Sequence, residues 1–194
     1  MIIHSGFRLR RHAWATACLV ATALAVASNR PTEYLDEQTG ATVVVVHEPL
    51  VFAREHSGFG RDYVTLAATA VNQSGRISYL LVGYIWSVGP ASGPKDVHLA
   101  AKKVALQADE RLIALALQSR SALELGIGVP VHRPPVGAAA SYIYVTDLET
   151  VQMLAESSHL SLQIEEQSAS AHYQLFEDGR SALREFVRFA RARF

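Results

Sequence analysis

Apolar and polar residues change their spacing twice along this chain, and each change marks a different kind of structure. An uncharged apolar run, Ala13–Ala27, comes first; short β-type runs fill the middle; strand and helix periods alternate in the last third. Residues 28–40 are polar and read as an extended segment. Thr42–His47 holds four consecutive valines, Val43–Val46, whose branched side chains favour strand. Pro49 interrupts that run and Leu50–Arg54 resumes it. From Asp62 to Val71, Val64, Leu66, Ala68 and Ala70 alternate with Tyr63, Thr65 and Thr69. Asn72–Gly75 is a turn cluster and Arg76–Val88 a second long strand, so the two form a hairpin.

In that second strand Ile77, Tyr79, Leu81 and Ile85 share one face, and Leu80, Val82, Tyr84 and Trp86 the other. A strand apolar on both faces is central and buried on both sides, or keeps one side for a partner. Tyr84 and Trp86 are the pair expected to border a groove, since each ring has an apolar body and a polar tip. Gly89–Pro94 is a loop. Val97–Gln107 and Arg111–Gln118 read as a hairpin around Ala108–Glu110, with a helix across 99–119 as the rival because Ala and Leu dominate there. Gly126–Gly137, with three prolines and three glycines, is a loop.

The tail reads β-α-β-β-α. Ser141–Val145 is a strand, and Thr146-Asp147-Leu148-Glu149 forms a capping box that opens a helix to about Ser157. Leu160, Leu162 and Ile164 alternate with Ser161, Gln163 and Glu165 as a half-buried strand, and Tyr173–Phe176 is its partner. Asp178 caps a final helix in which Leu183, Phe186, Val187 and Ala190 recur at helical spacing. The fold class expected is α+β: a β-dominated antiparallel sheet or sandwich with the helices packed on one face or end.

The opening run changes the picture of where this domain works. Arg8, Arg10 and Arg11 precede it, no acidic residue appears before Glu33, and Ala25-Val26-Ala27 supplies a small-x-small cleavage pattern. At fifteen residues the run falls short of the roughly 20 that span a bilayer core. Residues 1–27 are therefore expected to be a cleaved export signal and 41–194 a single globular domain in the periplasm or outside the cell. Arg10-Arg11 lacks the apolar sequel of a twin-arginine signal. Cys18 follows a loose lipobox, Ala15-Thr16-Ala17, but stands near the start of the apolar run, where lipid anchoring is not expected.

Removing the leader leaves fifteen Lys and Arg against eighteen Asp and Glu, with no cysteine. Mild acidity argues against nucleic acid as a partner, because such binding needs a basic surface. Without disulfides the domain must rest on its hydrophobic core, and cysteine nucleophiles and thiolate metal sites are excluded.

The stretches Tyr34-Leu-Asp-Glu-Gln-Thr-Gly-Ala-Thr-Val43, Glu48–Arg54, Arg61-Asp-Tyr-Val-Thr-Leu66 and Gly83-Tyr-Ile-Trp-Ser87 carry a resemblance. They resemble a group of uncharacterised exported proteins and lipoproteins of proteobacteria. The resemblance implies export and a shared fold, with motifs that are structural rather than catalytic, and it implies no activity.

Candidate chemistry is sparse. His47, Glu48, Glu55 and His56 form the most suggestive metal-type cluster, since imidazole and carboxylate suit zinc or copper. Their spacing fits no ligand motif, and ordinary surface histidines are the competing reading. No Gly-x-Ser-x-Gly elbow occurs, and Gly58-Phe59-Gly60 and Gly126-Ile127-Gly128 read as turns rather than phosphate loops. No cofactor is called for. Arg180, Arg184, Arg188 and Arg191 form a stripe on the final helix, suited either to an anionic membrane surface or polymer or to complementing the helix C-terminus. The reading is an exported, non-enzymatic binding or accessory module whose partner is an unidentified envelope protein or ligand. A small hydrolase or metal-dependent enzyme using the His47/Glu48/Glu55/His56 region is the alternative.

Overall fold

The computed structural model describes residues 29–55, 60–89, 103–133, 139–165 and 170–194. The leader, Cys18, His56, Gly58 and His98 lie outside the described residues.

Among the described residues ten strands form one sheet, and every pairing is antiparallel. A first hairpin joins β1 (Thr32–Leu35) to β2 (Thr42–Val45). After the corner at Pro49 comes β3 (Leu50–Glu55). The next strand, β4 (Arg61–Gln73), is long enough to pair with β3 along its first half and β2 along its second. It turns at Ser74-Gly75 into β5 (Arg76–Val88), and the two stay in register from Arg61 opposite Val88 to Gln73 opposite Arg76. A two-residue turn with φ positive at both central positions suits the twist of a hairpin. The second hairpin is β6 (Lys103–Ala108) and β7 (Arg111–Leu117). Then follow β8 (Ala140–Thr146), α1 (Leu148–Glu156), β9 (Leu160–Glu165), β10 (Ser170–Glu177) and α2 (Arg180–Arg193).

The sheet closes on itself. Its order runs β4-β3-β10-β9-β6-β7-β8-β5, and β5 pairs again with β4, giving an eight-stranded barrel with the β1–β2 hairpin attached to β4. The β-dominated antiparallel fold expected from sequence is present, and its form is more specific than a sheet or sandwich: both long strands of the β4–β5 hairpin find second neighbours, so no edge remains between them. The strand reading of 97–119 replaces the helical one across the described part, Lys103–Leu117. Residues 28–40, read as an extended segment, contain β1 and its turn. Asp147, rather than Thr146, caps α1, accepting the Thr150 N–H at 2.6 Å. Asp178 stands one residue before the α2 cap position, which is Gly179, and accepts the Arg180 N–H.

All eight barrel strands send side chains into one core, among them Phe52, Leu66, Leu81, Leu106, Leu115, Tyr144, Leu162 and Tyr173. Val151 and Leu154 of α1 and Leu183 and Phe186 of α2 are fully buried in the same cluster, so the helices fill the inner side of the barrel. Gly179 makes this docking possible. A Cβ there would stand 2.6–2.7 Å from the Pro49 and Glu48 carbonyl oxygens, so only glycine lets α2 start against that corner.

The outer wall is uneven. Over β9 and β10 it carries Ser161, Gln163, His172 and Gln174, as the alternation predicts. Over β2, β4, β5 and β8 it is apolar: Val43, Val45, Val71, Leu80, Val82 and Ile143 form a second cluster, roofed by Leu125 and Ile127 from the segment after β7. This explains why β5 is apolar on both faces. One side faces the barrel core and the other lies partly under that roof.

Candidate functional site

Beyond the roof, the apolar outer wall opens into a pocket of about 470 Å³. Its floor is two cross-strand rows. Val51, Thr65 and Tyr84 stand side by side on β3, β4 and β5; one step along, Tyr63 and Trp86 are paired on β4 and β5. Tyr63 and Trp86 stack with centroids 5.1 Å apart and planes 12° from parallel. Phe176 meets Tyr63 edge-on at 5.6 Å.

Phe176 owes its place to a bulge. Leu175 pairs with Phe52 and Glu177 with Val51, so Phe176 is the extra residue of β10, and a bulge of this kind re-aims a side chain. The Arg61 guanidinium lies 6.0 Å from the Tyr63 centroid and 5.4 Å from that of Phe176, and it is paired with Glu55. Asp62 accepts the Ser87 hydroxyl at 2.5 Å, fixing the same end of the hairpin.

The opposite wall is the loop that follows the 3-10 turn Leu123–Leu125. His132 is its keystone. The ring Nε2 lies 3.1 Å from the Val46 carbonyl oxygen, and the His132 carbonyl accepts the Tyr84 hydroxyl at 2.9 Å. Burial pushes the imidazole pKa below its ordinary value, against the opposing pull of the Val46 carbonyl and with a small contribution from nearby His47. The ring is therefore neutral at pH 7 and donates through Nε2. Burial raises the Tyr84 pKa, which keeps its hydroxyl a donor.

Asp36 ties this loop down. Its buried carboxylate accepts the N–H groups of Gln38 and Thr39 in its own turn and those of Gly128 and Val129 across the roof. Burial acts to raise its pKa, but the four backbone donors outweigh it and hold the group below the usual carboxylate value. Gly128 comes so close that a Cβ would lie 2.5 Å from the Asp36 Oδ1. Asp36 and Thr39 thus both serve the roof: Thr39 also donates its hydroxyl to the Gly126 carbonyl at 3.0 Å.

Of the residues singled out from sequence, Tyr84 and Trp86 line the pocket. The metal-type cluster is not assembled by its described members. His47 and Glu48 are exposed at the corner before β3, while Glu55 ends that strand and pairs with Arg61; a six-residue strand separates them by about 17 Å. The basic stripe divides. Arg180 donates to the Ser157 and Ser158 carbonyls, and Arg184 donates to that of Ala155 at 2.9 Å, so both serve the C-terminus of α1, whose last turn has no basic residue of its own. Arg188 pairs with Glu185 and Arg191 bonds Gln152, both on the exposed surface.

Tyr63, Phe176, His132 and Arg133 are among the pocket residues the sequence reading did not select. For Tyr63 a signal existed: a two-residue turn at Ser74-Gly75 sets it opposite Trp86. For Phe176 and the loop residues there was none, because a bulge and a long-range roof position them. No protein-family model matches the chain, and comparison with curated proteins and with solved structures gave no match.

Proposed function

We propose that this protein is exported to the cell envelope and acts there as a non-enzymatic binding module, holding a small, largely apolar ligand in its outer-wall pocket. One observation carries the reading. Tyr63, Trp86 and Phe176 come from three strands to one open pocket whose volume lies within the roughly 300–1,000 Å³ of small-molecule sites. Phe176 is half-exposed there beside the partly buried Tyr63, and an exposed apolar ring rimmed by polar residues marks a binding surface. The export half rests on the arginines, apolar run and Ala25-Val26-Ala27 of the leader.

A Trp14→Phe background leaves Trp86 as the sole tryptophan, since the chain has two. Titration with the neutral dye Nile red should then saturate and perturb Trp86 emission. Phe176→Ala, at a half-exposed position, should weaken binding about tenfold by removing apolar contact area while leaving the fold intact. Absence of saturation, or an unchanged affinity in that variant, would remove the pocket as the binding site. Expression in a Gram-negative host should yield an envelope protein beginning at Ser28; a retained leader in the cytoplasm would overturn the export half.

A further inference from the structure

Resting on that pocket, we infer that its ligand is an amphiphilic anion, a fatty monocarboxylate whose acyl chain crosses the aromatic floor and whose carboxylate meets Arg133. Arg133 is the only arginine among the described residues that line the pocket, and its side chain is exposed. Among the described residues it has no acidic partner, whereas Arg61 is occupied by Glu55 and Arg180, Arg188 and Arg193 by Asp178, Glu185 and Glu33. The other polar groups at this end are already used. His132 Nε2 serves Val46, and the Tyr84 hydroxyl serves His132.

Orientation follows from the strands. Glu177 also lines the pocket, but it pairs with Val51 on β3 and so stands three strands from Tyr84, about 14 Å across the sheet. Its carboxylate repels an anion from that side and leaves the head group with Arg133. Between the two ends lie Val51, Tyr63, Trp86 and Phe176, a run of apolar surface without an unpaired charge. A cationic ligand fits poorly, because Arg61 already holds the position over the Tyr63 and Phe176 rings where a cation would gather.

The full chain in the Trp14→Phe background is titrated with decanoate below its micellar range, and with decanol and decyltrimethylammonium as neutral and cationic controls, reading Trp86 emission. Decanoate should bind tightest. Arg133→Gln should weaken it about tenfold, as expected for a lost charge-assisted hydrogen bond, and leave decanol unchanged, with Arg133→Lys recovering part of the loss. Equal binding of all three amphiphiles, a preference for the cation, or an Arg133→Gln effect shared by decanol would overturn the inference. If Nile red binds at the Phe176-dependent site and decanoate does not, the ligand class is wrong and the pocket stands. If neither binds, both readings fall.

Discussion

Protonation of His132 works against the folded state, because burial depresses the imidazole pKa there relative to about 6.5 in the unfolded chain. The folded protein therefore binds that proton less readily than the unfolded one. The stability concerned is fully present above about pH 6.5 and is lost as pH falls through the lowered folded value. Thermal unfolding at pH 7 and pH 5 should show a lower midpoint at pH 5, and His132→Gln should reduce the difference; an equal pH response in that variant would assign the titration elsewhere. Asp36 contributes in a separate, more acidic window. Its carboxylate is depressed, so its stabilising share is present above about pH 4 and declines below it. Both residues hold the same roof, His132 through the Val46 carbonyl and Asp36 through the Gly128 and Val129 N–H groups.

At the level of elements, the arginine stripe of α2 shows how a surface pattern becomes an internal tie. Arg184 reaches the Ala155 carbonyl at the end of α1, whereas Arg188 pairs with Glu185 on its own helix. Arg184→Gln should cost about 1 kcal/mol, the worth of a hydrogen bond to a helix end, and Arg188→Gln a few tenths, as for an exposed ion pair. Urea denaturation of the two variants measures this directly; equal losses would mean that Arg184 acts only as a surface charge. The β10 bulge is the second decisive element. Without the extra residue at Phe176, the alternation of β10 would run on regularly, and the edge-on contact with Tyr63 would have no source.

For the whole molecule, stability lies in the joint between helices and barrel. Phe186 is fully buried in the core cluster that also holds side chains from every strand of the ring. Phe186→Ala should cost about 3–5 kcal/mol, the usual range for emptying a core aromatic site, with a lower denaturation midpoint by circular dichroism. Phe176→Ala, half-exposed on the outer wall, should cost far less, and the contrast separates core from site.

What the sequence by itself determined is local. Val43–Val46, the alternation of Leu160–Ile164 and the helical spacing of Leu183, Phe186, Val187 and Ala190 each placed an element, because side-chain periodicity reports which face is buried. The two-faced apolarity of β5 marked Tyr84 and Trp86, since an outward apolar row must be covered or used. Only the tertiary structure decided that β5 closes onto β8, that the loop carrying His132 and Arg133 lands beside Tyr84, and that His47 and Glu48 stay a strand's length from Glu55. Pairings between residues far apart in the chain depend on chain closure and competing edges, and no local pattern encodes them.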